Sequence, residues 1–178
     1  MARGVSRVPE RSSVPRLRDG GVTVRVATPK DLDVVVELRL ALLREHADSP
    51  LYGRLRPDAR RRAERLYAAQ LAAPGEVIFL AEDRRETLGI LRCLAAQGAP
   101  LLLPERYGYI SSVYVRPAAR RRGVLRALMD AAERWCEERG LDELRLHNAA
   151  ENDVANATWA ALGFAPVEVL RTRPLRGR

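Results

Sequence analysis

Residues 109–125 read YISSVYVRPAARRRGVL, and this stretch decides the fold that the sequence predicts. It runs from a strand pattern through a proline break and three arginines to Gly123, where a helical pattern begins. Apolar residues keep a helical period from Val124 to Cys136, Gly140 is suited to end the helix, and a further strand pattern follows at 144–147. The order strand, helix, strand predicts two parallel strands joined by a right-handed crossover.

Outward from this unit, the remaining patterns supply the other elements of an α/β sandwich. Before it, we expect a strand at 22–26, a helix beginning at 31, an Arg-rich helix from 57 to about 74, and a hairpin of strands 77–82 and 87–94. After it, we expect a helix at 153–162 and a last strand at 164–170. The predicted organisation is a flexible Arg-rich leader at 1–21, a single domain at 22–170 and a basic tail at 171–178.

The net charge of +8 lies mostly in the two tails. Residues 1–21 contribute +3 and residues 171–178 contribute +4, which leaves +1 for residues 22–170. A nearly neutral domain argues against a broad nucleic-acid surface. The apolar runs are too short to span a membrane, and the two cysteines are far apart in sequence. We therefore expect free thiols in a reducing compartment, a cytoplasmic location and no metal site.

The three arginines and Gly123 lie at the predicted start of the long helix. A helix start leaves backbone N–H groups unpaired and carries a partial positive charge, so it binds phosphate groups well. Gly123 lets a phosphate approach the backbone closely, and the arginines at 120–122 add fork-shaped donors. The alternative is an arginine run that only faces water. Because arginine at a helix start is unfavourable unless an anion binds there, the position favours a pyrophosphate site.

The same stretch resembles the acetyl-coenzyme A motif of the GNAT N-acetyltransferases. That motif is Gln or Arg, two residues, Gly, one residue, then Gly or Ala. Arg120, Gly123 and Leu125 occupy its three positions, with a bulky leucine where a small residue is usual. A second segment resembles the C-terminal motif of the family, and its matching residues are Asn152, Ala155, Trp159, Gly163 and Phe164. The resemblance covers residues 22–170 and implies a GNAT-type three-layer sandwich, with a mixed central sheet, a splayed parallel strand pair and about four helices.

The resemblance implies acetyl-CoA as the cosubstrate and no metal. Backbone N–H groups near Val113 and Val115 would bind the pantetheine arm and polarise the thioester carbonyl, and a β-bulge would sit at Ser111 and Ser112. The residues that the resemblance assigns to coenzyme binding are Val113, Tyr114, Val115, Arg120, Arg121, Arg122, Gly123, Val124, Leu125, Asn152, Ala155 and Trp159.

Side chains for proton transfer are less evident in the sequence. Members of the family often carry a Glu on the strand at 110–115, where this chain has Ser111 and Ser112. His147 is the first candidate for the general base, and the alternative is a hydrogen-bonded structural histidine. Tyr109 or a chain of waters is the fallback. Trp159 stands where the family commonly has a Tyr that protonates the leaving thiolate, so that role passes to water or another side chain, or the thiolate leaves unassisted.

Two hypotheses for function follow. The first is an N-acetyltransferase that acts on a primary amine of a small molecule, peptide or protein, with a homodimer as an option for its assembly and with no nucleic-acid or membrane partner. The second is a regulatory module that binds acyl-CoA or a metabolite without turnover. Glu45, Asp48 and Tyr52 either attract a cationic amine or are solvated loop residues. Cys93 and Cys136 are interpreted as core residues.

Overall fold

The computed structural model describes residues 17–19, 21–84, 86–173 and 175. The chain divides into two units, one ending at Arg145 and one beginning at Leu146. A six-stranded sheet has its strands in the order of the sequence. The strands are β1 (Leu17–Asp19), β2 (Val22–Val26), β3 (Glu76–Glu82), β4 (Thr87–Gln97), β5 (Arg106–Val115) and β6 (Leu144–Leu146). The α-helices are α1 (Leu32–Glu45), α2 (Ala59–Ala72), α3 (Val124–Glu137) and α4 (Asp153–Ala161).

Helices cover both faces of the sheet. Ile78 of β3 and Ile90 of β4 pack with α1 and α2 in one buried cluster. Successive strand residues point to opposite faces, so Cys93 of β4 faces the other side, where its Sγ lies 3.7 Å from Cys136 Sγ of α3. The predicted three-layer sandwich is therefore confirmed.

The sheet is mixed, as the sequence predicts. The strands from β1 to β5 pair antiparallel in succession. After the crossover through α3, β6 lies beside β5 and forms the parallel pair of the sheet. The pair begins where Gly108 N–H donates to the Glu143 carbonyl at 2.8 Å. A Cβ on Gly108 would come within 2.5 Å of Cys136 Sγ and 2.6 Å of Leu144 Cδ2, so only glycine permits this close packing.

Short polar motifs fix the ends of the helices. Before α1, the Asp31 carboxylate accepts hydrogen bonds from the Thr28 N–H at 2.7 Å and from the Thr28 hydroxyl at 2.9 Å. Beyond α3, Gly140 has a φ of 62°, which suits a glycine after a helix end. In the second unit, Asn152 Oδ1 caps α4 by accepting the Ala155 N–H at 3.0 Å. The predicted helices are confirmed, with ends within a few residues of those expected.

Two predictions at the ends of the chain are corrected. The strand expected at 164–170 is wrong, because none of these residues is in a strand and Val167 is 92% exposed. A segment with valines becomes a strand only where a neighbouring strand offers backbone partners, and no strand among the described residues pairs with this segment. The leader expected at 1–21 contains β1, which pairs Leu17 with Val24 of β2. The rest of that leader up to residue 16, with residue 20, lies outside the described residues, as do residues 174 and 176–178 of the tail.

Within the described ranges, no helix is long and apolar enough to cross a membrane. In the same ranges, no group of three or more His, Cys, Asp or Glu side chains is placed to hold a metal ion.

Candidate active site

The backbone of the turn before α3, including that of Gly123, is exposed to solvent. A 3-10 turn at Pro117–Ala119 ends β5, and the chain then reaches α3 through two residues with positive φ, Arg121 at 60° and Gly123 at 78°. Both residues are exposed. A Cβ on Gly123 would meet no atom within 4 Å, so the space in front of this glycine is open. The turn therefore leaves room for a ligand group directly against the backbone.

The start of α3 carries unpaired donors and no protein anion. The first hydrogen bond of the helix is donated by Ala127 N–H to the Gly123 carbonyl at 3.0 Å. Within the part of the chain that the structure describes, the N–H groups of Val124, Leu125 and Arg126 have no protein acceptor. The first turn contains no acidic residue, so the positive end of the helix dipole is not neutralised from within the helix. This arrangement fits a phosphate or diphosphate group.

The three arginines of the turn have different surroundings. Arg122 Nη2 lies 4.0 Å from Asp83 Oδ2, and its side chain is 53% exposed. Arg120 points instead to the C-terminal end of α1, where its Nη2 contacts both carboxylate oxygens of Glu45 at 2.7 and 2.6 Å. Arg120 Nε also donates to the Val115 carbonyl at 3.0 Å. Arg121 and Arg122 are therefore more accessible to an anion than Arg120 is.

β5 contains the bulge that the sequence predicts at Ser111 and Ser112. The register with β4 changes between the pairs Ile90–Tyr114 and Arg92–Ser111, so β5 has one extra residue there. Ser112 has a φ of 53°, which is rare for a residue other than glycine. The bulge is therefore a strained backbone conformation that the surrounding side chains must hold.

Two side chains hold the serine hydroxyls of this bulge. Tyr67 of α2 is buried, and its hydroxyl lies 3.0 Å from Ser112 Oγ. Arg92 Nη1 donates to Ser111 Oγ at 3.1 Å, and the same guanidinium forms an ion pair with Glu76 of β3. The bulge is thus fixed from α2 and from β3 and β4.

Beyond the bulge, every second backbone N–H group of β5 points away from β4. Arg116 N–H donates to the Leu88 carbonyl of the preceding hairpin strand at 2.8 Å. Donors alternate along an antiparallel strand, so the N–H groups of Val115 and Val113 face the opposite edge. β6 has only three residues and begins near Gly108, whereas β5 continues to Val115. This part of β5 can pair with an extended ligand arm.

The residues expected to transfer protons lie in different units. Tyr109 is half-buried on β5, and burial raises the pKa of its phenol, with a smaller contribution from nearby Tyr52. A raised pKa makes the phenolate, the form that acts as a base, scarcer near neutral pH. His147 is exposed and lies in the second unit.

The second motif is built within the second unit. Asn152 is the N-cap of α4, as the sequence suggests, and Ala155 supplies the N–H that it accepts. The Trp159 ring packs edge-on against Phe164, with centroids 5.6 Å apart. The coenzyme contacts of these residues stay predictions.

Sequence reasoning missed several residues that hold the site. Tyr67 and Arg92 were not expected at the bulge, and Glu45 was not expected to pair with Arg120. A signal existed for Tyr67, because a tyrosine on the apolar face of a helix needs a partner for its hydroxyl. No comparable signal marked the pairing of Glu45, which joins residues far apart in the chain.

Comparisons with known proteins identify the family. A family model described as the acetyltransferase (GNAT) family matches residues 40–164. An aminoglycoside N(6')-acetyltransferase type 1 from Stenotrophomonas maltophilia is 33% identical over 146 residues, which are 82% of this chain and 88% of the relative. A mycothiol acetyltransferase from Amycolatopsis mediterranei is 35% identical over 152 residues, which are 84% of this chain but 48% of that relative.

A solved structure agrees with these matches. A protein from Clostridium acetobutylicum, described as a predicted acetyltransferase and crystallised with acetyl-CoA, has the same fold, with a TM-score of 0.71 at 20% identity. The similarity covers 86% of this chain and 96% of that protein. These matches agree with three features of the structure, namely the sandwich, the bulged β5 and the turn before α3. The chain therefore belongs to the GNAT family and is an acetyltransferase.

Proposed function

We propose that this protein is an N-acetyltransferase that transfers the acetyl group of acetyl-CoA directly to a primary amine of a small molecule, peptide or protein. The observation that carries the proposal is the row of unpaired N–H groups at the start of α3, beside the open space at Gly123. Relatives named for aminoglycoside and mycothiol acetylation make small molecules the first acceptors to test.

The turn and the start of α3 would hold the diphosphate of the coenzyme. The N–H groups of Val124, Leu125 and Arg126 are the donors, and Arg121 and Arg122 add charge. When bound, acetyl-CoA supplies an acyl group activated as a thioester. In the second unit, Asn152, Ala155 and Trp159 are further candidates for coenzyme contacts, as the family resemblance implies.

Backbone dipoles of β5 would stabilise the charge that develops on the carbonyl oxygen. The N–H groups of Val113 and Val115 face away from β4, and the bulge at Ser112 fixes the strand just before them. Fixed donors of this kind lower the barrier to acyl transfer because they need no reorganisation during the reaction. A nucleophilic side chain is not required, and the buried Cys93 and Cys136 are not used.

The chain must also move two protons. An alkyl amine has a pKa of about 10.4, so only about one molecule in a few thousand is neutral at pH 7 and a base is useful. His147 is the proposed base. Tyr109 of β5 or a chain of waters is the alternative base, and the departing sulfur takes its proton from water or another side chain, or leaves unassisted.

The test is release of free thiol from acetyl-CoA with a panel of amines that includes the aminoglycoside neamine, amino acid amides and a lysine peptide. Amine-dependent thiol release, with an acetylated product seen by mass spectrometry, supports the proposal. Binding of acetyl-CoA without turnover on any amine supports the regulatory module instead. Failure to bind coenzyme A at all contradicts both.

A further inference from the structure

Glu45 and Arg120 form an ion pair that joins two helix ends of opposite polarity. Glu45 is the last residue of α1, and Arg120 precedes the start of α3. Both carboxylate oxygens contact Arg120 Nη2, and the Tyr114 hydroxyl donates to Glu45 Oε1 at 3.3 Å. The side chains of Glu45 and Arg120 are 37% and 46% exposed. This pair is accessible to solvent and to ligands.

Each member of the pair is unfavourably placed with respect to its own helix. A carboxylate at the C-terminal end of α1 lies at the negative end of the helix dipole, and a guanidinium before α3 lies near the positive end. Each charge therefore needs a partner of opposite sign. In this structure, Glu45 and Arg120 are each other's partner. An anion at the turn and a cation at the end of α1 would satisfy the same two needs separately.

A diphosphate at the start of α3 would compete with Glu45 for Arg120. It carries more charge than one carboxylate and offers the oxygen geometry that a guanidinium binds best. Exposed ion pairs contribute little stability, so the exchange of one anion for the other has a small cost. Arg120 is also tied to the Val115 carbonyl through Nε, which keeps it beside the turn during such an exchange.

The carboxylate released at the end of α1 would then be free to bind a cation. The connection that follows Glu45 contains Tyr52, which is close enough to Tyr109 of β5 to affect the pKa of its phenol. Because the Tyr114 hydroxyl of β5 also donates to Glu45, the end of α1 lies against β5, the strand beside which the acetyl group would be presented. A protonated amino group is the cation that the proposed reaction supplies.

We propose that Glu45 couples the two substrates: binding of the coenzyme diphosphate draws Arg120 away, and the freed Glu45 carboxylate binds a cationic amine acceptor, so coenzyme binding strengthens the binding of the amine. This inference rests on the proposed function. It makes Glu45 a specificity residue for polycationic acceptors.

The first experiment measures coenzyme A binding by calorimetry in the wild type and in Glu45→Gln, Arg120→Gln and the double variant. Glu45→Gln should bind coenzyme A about two- to fivefold more tightly, because the competing carboxylate is gone. In the Arg120→Gln background, the same change should have no effect. Glu37→Gln is the matched control, since Glu37 lies on the same helix and pairs with Arg116 Nη2 at 2.8 Å, outside the turn.

The second experiment measures neamine binding with and without saturating coenzyme A. Coenzyme A should tighten neamine binding to the wild type and to Glu37→Gln about fivefold or more, and this enhancement should disappear in Glu45→Gln. Equal coenzyme affinity in the wild type and Glu45→Gln, or no enhancement of neamine binding in the wild type, overturns the inference alone. Absence of coenzyme A binding to the wild type overturns the proposed function itself.

Discussion

At the scale of single residues, two glycines at opposite ends of α3 allow the effect of backbone strain to be distinguished from an effect on ligand binding. Gly123 and Gly140 have φ values of 78° and 62°, and a Cβ on either would meet no atom within 4 Å. Gly123→Ala and Gly140→Ala should each lower the free energy of unfolding by about 1 kcal/mol, measured by urea denaturation. Only Gly123→Ala should also weaken acetyl-CoA binding, about tenfold, because its methyl group enters the space proposed for the diphosphate. Equal coenzyme affinity in the two variants would contradict the proposed site.

Substitution of His147 tests directly whether this residue is the general base. His147→Gln should lower kcat about a hundredfold with the best amine acceptor and leave the Kd for coenzyme A unchanged, since a base acts on the amine and not on the nucleotide. Stopped-assay kinetics and calorimetry measure the two effects. A loss of less than about threefold in kcat would exclude His147 as the base and favour a water chain.

The sequence supports residue predictions only where local chemistry decides the outcome. A phosphate-binding site at Gly123 could be predicted because the start of a helix has unpaired backbone N–H groups. The serine bulge was located through the family resemblance. By contrast, the link from Arg120 to Glu45 depends on where two distant helix ends meet, and local patterns carry no information on that.

At the scale of elements, one arginine joins β2, β3 and the start of α1. Arg25 binds the Asp31 carboxylate through both terminal nitrogens, at 2.9 and 2.7 Å, and also binds Glu82. The hydrogen bond from Arg25, opposed by burial and assisted by Thr28, lowers the pKa of Asp31 from 3.8 to about 2. A lowered pKa stabilises the folded state above about pH 4, and this contribution is lost as the pH falls towards 2.

Asp31→Asn should therefore lower the free energy of unfolding by about 1–2 kcal/mol at pH 7. Between pH 4 and pH 2 the wild type should lose stability faster than the variant, so the two curves converge. Urea titrations at several pH values measure this. Asp33→Asn is the control, because the Asp33 side chain is 93% exposed and lies 4.0 Å from Arg60, so its effect should stay within about 0.5 kcal/mol.

The bulge in β5 gives a second prediction at this scale. Tyr67→Phe removes the only hydroxyl partner that the structure records for Ser112 among the described residues, so stability should fall by about 1 kcal/mol. The value of kcat should fall several-fold, with little change in coenzyme affinity, because the donors of β5 are held less firmly. Ser112→Gly removes the same hydrogen bond but should lose less stability than Tyr67→Phe, since glycine accepts the positive φ without strain. If Tyr67→Phe leaves kcat unchanged, the bulge is not held through this hydroxyl.

Elements with a strong pattern were predicted well, and those without one were not. α3 could be identified by its helical period of apolar residues, and β2 by its alternation of apolar and polar residues. β1 has three residues and no apolar alternation, because an edge strand needs only backbone partners, which β2 supplies. The segment at 164–170 shows the reverse case, in which a valine pattern pairs with no strand in the described part of the chain.

At the scale of the whole molecule, the core contains both thiols. Cys93 and Cys136 are 0% and 2% exposed, and contact with Cys136 together with burial raises the pKa of the Cys93 thiol. Neither thiol should react with a disulfide reagent in the folded protein, whereas both should react in urea. Cys136→Ala should keep wild-type kcat. Rapid labelling of the native protein, or loss of activity on labelling, would contradict the interpretation of these residues as core.

The overall fold could be predicted from the sequence because the strand-helix-strand unit around residues 109–147 permits few arrangements. The order of the other elements limited them further. The acceptor could not be predicted, since an acceptor pocket depends on side chains that only folding brings together.

Gly108 determines how closely the last two strands of the sheet can approach each other. Its missing side chain lets Cys136 of α3 and Leu144 of β6 press against β5. β6 has only three residues, whereas β5 continues to Val115, so this contact lies near the beginning of β5 and away from its bulge. A methyl group at position 108 would force α3 or β6 away from β5, and the arrangement of these elements therefore depends on the smallest residue of the strand.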